Sequence, residues 1–357
     1  MSSQVELREE WALRLAQQGE ACGELGSDLY RRLLGLLAEE VRVGATTWDV
    51  LASAGDLRFG QAGPLRLLGA AHRLALSGQD QQWAALLPSC GGRVPADDGV
   101  LLVQWRALVE RRHADLVEGM GREVQANEVG RAAGLALAAA EARLGEARLI
   151  EIGSSGGLNL RLDRFEIDLA GVVLGHPESP VHIRPEMRSE LGGLRHSGLA
   201  LPTVTGRDGI DPFPVDPSSE DGRLTLRSYL WPDQVERFER VSAAIEVARQ
   251  VPAELLTTGE DADTAEVLES VLDRGGSSIV MHSIVWQYIP TEMRWRITEA
   301  MERAGSRSTT TAPLVWIRYE PDEWDRRRAA VWMRQWPYGG DRLVAHVDFH
   351  GRWLEPV

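Results

Sequence analysis

The chain has 357 residues, a net charge of −14, 43% hydrophobic and 26% charged residues. That length suffices for two domains and a large buried core. The acidic surface repels phosphate backbones and argues against nucleic acid as a partner, and the densest basic run, Arg326-Arg327-Arg328, reads as a solvated loop. All 39 basic residues are arginine, which excludes a Walker A lysine, a pyridoxal phosphate Schiff base and a lysine general base. No apolar stretch reaches the roughly 20 residues of a membrane span. The first residues show no basic region followed by an apolar core. The two cysteines, Cys22 and Cys90, form no motif, and no metal site is read. The expected location is the cytoplasm, with a small molecule as partner and no membrane.

Residues 1–147 read as helical. Apolar residues recur at three-and-four spacing over 5–17, 29–41, 65–77 and 100–109, with a long helix expected over 127–144. Glycine and proline clusters such as Gly60 to Pro64 and Pro88 to Gly92 punctuate them. From 148 to 357 strands alternate with helices. Strands are expected at 148–152, 200–205, 253–258, 278–284 and 314–319, and helices at 232–248, 263–272 and 291–304. The runs 329–336 and 342–349, separated by Tyr338-Gly339-Gly340-Asp341, predict a closing β-hairpin. The stretch 171–198 reads as an insertion between the first two strands. Such alternation implies an α/β fold with a mostly parallel sheet covered on both faces. With its terminal hairpin it resembles the Rossmann-like sheet of class I methyltransferases.

The first strand runs straight into Gly153-Ser154-Ser155-Gly156-Gly157, then Leu158-Asn159-Leu160. Glycines let the backbone bend tightly and approach a ligand, and the amides that follow favour an anion or carboxylate. Glu151 at the strand end is suited to hold an ammonium or orient the loop. Glu151, Gly153, Ser154, Ser155, Gly157 and Asn159 are therefore the expected cofactor-binding set, with a plain strand-to-helix turn as the alternative. The same residues match Gly-x-Ser-x-Gly, the nucleophile elbow of α/β-hydrolases, with Ser155 as nucleophile and His346 or His350 as base. An elbow normally follows several earlier strands, and here none is read before residue 148.

An acid at the end of the second strand suits a ribose, because two carboxylate oxygens accept from two vicinal hydroxyls. Asp211 in Gly-Ile-Asp-Pro is the first choice, with Asp208 and Asp168 behind it, and each also suits a turn or cap. After the third strand Asp261 suits an adenine amino group, while Asp263, with Glu266 three residues on, suits a helix cap. The segment Met281-His282-Ser283-Ile284-Val285-Trp286-Gln287-Tyr288 lies where ligands sit in open α/β sheets. His282 and Tyr288 are the expected catalytic residues, His282 as a base for an acceptor nucleophile, with Trp286 walling the substrate. The alternative is a core histidine among corner aromatics. Asn127, Glu128 and Arg131 at the start of the long helix are expected at the substrate, or as helix-capping groups.

Taken together, Asn127 to Arg131, Glu151 to Leu160, Tyr229-Leu230-Trp231-Pro232-Asp233, His282 to Tyr288 and His350-Gly351-Arg352-Trp353 resemble bacterial domain-of-unknown-function family 2332. The resemblance covers nearly the whole chain. It implies a fold similar to class I methyltransferases and carries no established substrate. This chain has Ser155-Gly156-Gly157 where Ser-Ala-Gly is common, and a small residue remains. The expected function is S-adenosylmethionine-dependent methyl transfer to a small or medium organic acceptor. The alternatives are a serine hydrolase and a non-catalytic nucleotide-binding protein.

Overall fold

The computed structural model describes residues 2–55, 62–191, 198–258 and 263–357. Two compact units divide the chain: Met1–Ala126 with Arg223–Glu239, and Asn127–Gly222 with Arg240–Val357. The helical unit therefore closes at Ala126 rather than at 147 and takes in a later segment. Among the described residues, no helix is long and apolar enough to cross a membrane.

The first unit carries α1 (Ser2–Glu24), α2 (Asp28–Arg42), α3 (Thr46–Ser53), α4 (Gly63–Leu76), α5 (Gln81–Ala84) and α6 (Asp98–Met120). Leu33, Leu37, Leu67, Leu101, Trp105 and Leu116 fill its core, and Trp231 from the later segment packs among them. Leucines at helical spacing build such a stripe without help from strands. Polar groups fix where 223–239 docks. Asp233 accepts from Ser27 Oγ at 2.7 Å and from the Leu29 amide at 2.9 Å, so it serves the open N-terminus of α2. His72 bonds the Ser228 carbonyl and Ser89 Oγ, and burial pulls its pKa down to about 4, which keeps it neutral. These contacts explain the Tyr229 to Asp233 motif as a structural tie. Replacing Asp233 with Ala should lower unfolding free energy in urea by about 2 kcal/mol, since two charge-assisted bonds are lost at a helix end. A loss under about 0.5 kcal/mol, the size of an ordinary surface change, would refute the tie.

The second unit is built on a nine-stranded sheet. Its strands are β1 (Glu146–Ile152), β5 (Glu186–Met187), β6 (Thr203–Asp211), β7 (Glu254–Thr257), β8 (Ser278–Ser283), β9 (Leu314–Pro321), β10 (Ala329–Trp336), β11 (Asp341–Val347) and β12 (Trp353–Pro356). The order is β5-β12-β11-β10-β9-β8-β1-β6-β7. From β7 to β9 all neighbours are parallel, and β9 to β12 form an antiparallel meander. The expected closing hairpin is β10–β11, paired from Ala329↔Val347 to Arg334↔Asp341. The β12 strand after it was not expected. Ile150, Ile152, Val280 and Trp316 pack on one face against Leu268 of α10 (Thr264–Leu272) and Ile297 and Met301 of α11 (Thr291–Arg307). The other face meets α7 (Ala132–Glu141), where a Cβ on Gly134 would stand 3.2 Å from the Tyr319 ring. The small residues of α7 let it lie close on the strands.

Three elements differ from the sequence reading. The expected helix over 127–144 is a 3-10 turn at Val129–Arg131 followed by α7. No α-helix joins β1 to β6 among the described residues. A 3-10 stretch at Leu158–Arg164 is followed by a small sheet of β2 (Glu166–Leu169), β3 (Val172–Gly175) and β4 (His182–Ile183), so the insertion begins before 171. The second main strand is β6, not 200–205. Its glycines at 206 and 209 read as turn signals but serve close approach. A Cβ on Gly206 would stand 2.5 Å from the Arg148 guanidinium, and one on Gly209 2.5 Å from Ser154 Oγ.

Candidate functional site

The chain runs from β1 to β6 on one side, and β8 later takes the other side. The carboxyl end of β1 is thus a topological switch point, the place where open α/β sheets bind ligands. The glycine loop sits there. Gly153, Ser155 and Gly157 all take positive φ, at 70°, 51° and 62°. Glycine does so freely, whereas Ser155 is strained there.

Side chains from three segments hold this loop. Asp211, the last residue of β6, accepts from the Ser155 amide at 2.8 Å and from the Phe213 amide at 2.8 Å. Asn127 Oδ1 accepts from the Leu158 amide at 2.8 Å. Arg161 Nη1 donates to the Gly157 carbonyl at 2.6 Å, and its Nε donates to Val251. Burial, with Arg207 adding repulsion, lowers Arg161 to about 10. Sequence reasoning missed Arg161; its spacing of four from Gly157 was the available signal.

Glu151 is buried beneath the loop. Burial pushes its pKa up to about 8 against the lowering effect of an Asn159 hydrogen bond and of Arg161 and Arg131 nearby. Burial also raises Asp211 despite its two amide bonds. Glu151 Oε2, Asn159 Oδ1 and the hydroxyls of Ser154 and Ser155 are buried and meet no hydrogen-bond partner in the described structure. Such a cluster of unsatisfied polar atoms at a switch point is unusual for a finished core.

The other expected residues fall in distinct places. Asp208 is buried in mid-strand between Arg148 and Arg274, at 2.7 and 2.8 Å, and is a structural ion pair. Asp168 lies in the small sheet and accepts from the Gly171 amide at the β2–β3 turn. Asp263 caps α10 through the Ala265 amide, and Asp261 lies outside the described residues. Glu128 accepts from the Gly130 amide, and Arg131 donates to the carbonyls of Phe349 and Ser283. Tyr288 is 68% exposed, and Trp286 packs at the edge of the α10–α11 core. His282 stacks on Trp286 with ring centres 4.8 Å apart. In register it pairs with Ile152, so it points to the face opposite Glu151. His346 is on β11, four strands from β1, or about 19 Å at the usual strand spacing. An open crevice of about 400 Å³ lies instead between Asp163, Val173 and Leu201, away from the loop.

A family model described as "Uncharacterized protein conserved in bacteria (DUF2332)" matches residues 12–355. The chain belongs to that family. No curated protein and no solved structure matches it. Within this DUF2332 chain the glycine loop, the 127–131 segment and the end of β8 all meet around one strand end.

The raised carboxyl makes the site's pH dependence testable. Folded Glu151 holds its proton up to about 8, while the unfolded group releases it near 4.5. The unfolded state therefore binds fewer protons between these values, and stability falls as pH rises through that window. Glu151→Gln removes the effect. Its melting temperature should match wild type near pH 5 and exceed it near pH 8, by a difference worth on the order of a few kcal/mol. An unchanged gap between the two pH values would show that Glu151 is ionised in the folded protein.

Proposed function

We propose that this chain is an S-adenosylmethionine-dependent methyltransferase with a Rossmann-like nucleotide site. The supporting observation is the unsatisfied polar cluster under a glycine loop at the switch point between β1 and β8. The parallel strands, numbered in chain order, run 3-2-1-4-5. That matches the first five strands of the doubly wound order 3-2-1-4-5-6.

The residues present fit such a ligand. Asn159 Oδ1 is a free acceptor for an ammonium, Glu151 becomes one on giving up its proton to the incoming cation, and Ser154 and Ser155 offer hydroxyls. Each Asp211 oxygen spends one lone-pair direction on an amide and keeps another for a ribose hydroxyl. Gly153 and Gly157 keep the backbone clear for close approach. The chemistry supplied by the bound cofactor is an electrophilic methyl group on a sulfonium sulfur. The protein's part is to bind, orient and keep water out. The acceptor is a small or medium organic molecule.

Isothermal titration with S-adenosylhomocysteine tests the reading. We expect binding heat and a raised melting temperature. Neither at millimolar ligand removes it. Asp211→Ala should weaken binding by on the order of 10²-fold, the loss of two charge-assisted bonds, while Asp168→Ala leaves it unchanged.

One observation favours the serine hydrolase. Ser155 takes a positive φ at a tight turn directly after a strand, as an elbow nucleophile does. Labelling of Ser155 by a fluorophosphonate, lost in Ser155→Ala, would establish that reading in place of methyl transfer.

A further inference from the structure

The end of β8 carries chemistry that holding a cofactor does not need. His282 Nδ1 lies 2.6 Å from Oε1 of Glu320 on β9. The same oxygen accepts from the amides of Val285 and Trp286, at 3.2 Å each. Trp286 stacks on the imidazole at an interplanar angle of 16°, and Trp316 packs against it with centroids 6.0 Å apart. The ring is thus fixed on its faces and at Nδ1. Its Nε2 is buried and meets no partner in the described structure, and the same holds for Glu320 Oε2.

A purely structural ring would leave no such nitrogen. Burying an unsatisfied polar group costs roughly 1–3 kcal/mol, and an apolar ring would pack here without that cost. A carboxylate at hydrogen-bond distance selects the tautomer with the proton on Nδ1, because only that form donates to it. Nε2 then keeps its lone pair. Glu320 also places negative charge where an imidazolium would form.

We propose that His282 and Glu320 form a proton-accepting dyad for a hydroxyl-bearing substrate. His282 is the catalytic residue and Glu320 its positioning residue. The substrate O–H bond breaks, the proton joins Nε2, and the electron pair stays on oxygen, which becomes the nucleophile. The imidazolium is balanced by the Glu320 carboxylate. Hydroxyls fit best because they hold their proton at neutral pH and are poor nucleophiles until a base takes it, whereas a carboxylate needs no base. The dyad rests on the methyl-transfer reading only for what that oxygen attacks.

Two measurements on the full chain decide it. Nitrogen-15 spectra of histidine-labelled protein should show the His282 ring proton on Nδ1. Glu320→Leu should mix the tautomers, and Glu320→Asp should restore the wild-type pattern. Diethyl pyrocarbonate should modify the buried His282 at Nε2, more slowly than the exposed His176. A histidine sealed in the core shows the same tautomer but does not react. A proton on Nε2 in the wild type overturns the dyad, and so does an inert His282 in protein whose His176 is fully modified. Titration with S-adenosylhomocysteine is scored separately. A dyad that passes in a protein that binds none of it leaves the dyad standing and the methyl-transfer reading refuted. The reverse pattern overturns the dyad alone.

Discussion

Residues 153–157 alternate into positive φ, and a short polar loop with that backbone does not hold itself in place. Three side chains supply the hold: Asp211 from the end of β6, Asn127 from before α7, and Arg161 from the 3-10 stretch that follows. Asp211 matters most, because it bonds the amide of Ser155, the one non-glycine residue of the loop in the strained region. A strain of roughly 1–3 kcal/mol is sustained only where surrounding structure over-determines it. This requirement reaches outward. β6 must extend to Asp211, which it does through two glycines that admit Arg148 and Ser154. The chain at 127 must lie against the loop, and that fixes where α7 begins.

A second constraint closes the same region from the opposite end of the chain. The backbones at Gly130 and Gly351 cross so closely that a Cβ on either would collide with the other segment's main chain. Arg131 then spans from the Phe349 carbonyl to the Ser283 carbonyl at the end of β8. Asp348 turns the chain there by accepting from the amides of His350 and Arg352. The family segments around 127–131 and 350–353 are thus two halves of one clamp. In that clamp Arg131 orders the strand end that carries His282, and Asn127 orders the glycine loop.

The parts legible in the sequence were those with a local signature. β1, β8 and β9 are apolar runs bounded by turn residues, and the glycine loop follows β1 directly. β6 was cut short because Gly206 and Gly209 carry the turn signal while serving packing needs that only the neighbouring strand reveals. Residues 223–239 were read with the sheet because their apolar residues have no partner nearby in sequence. Trp231 finds its core among helices some 110 to 220 positions earlier. Glu320 was invisible for a similar reason: it meets His282 only through the pairing of β8 with β9. The choice among Asp168, Asp208 and Asp211 turns on register, which separates a hairpin turn, a mid-strand ion pair and a strand end.

Register also divides the chemistry between two sides of the sheet. Ile152 pairs with His282, and Glu151 precedes Ile152, so the raised carboxyl faces α7 while the imidazole faces α10 and α11. Neither can pass a proton to the other through the strands. Their surroundings also differ in sign. Glu151 sits with Arg161 and Arg131 and is kept neutral by burial, so an incoming cation would draw out its proton and gain an ion pair. His282 sits against a carboxylate. The two environments meet only at the strand ends, where Gly153 lies against Val285 so closely that a Cβ there would stand 2.5 Å from its side chain. On the proposed reading the cofactor would carry its positive group toward Glu151 and the acceptor would present its hydroxyl toward His282, so the two molecules would meet across that contact.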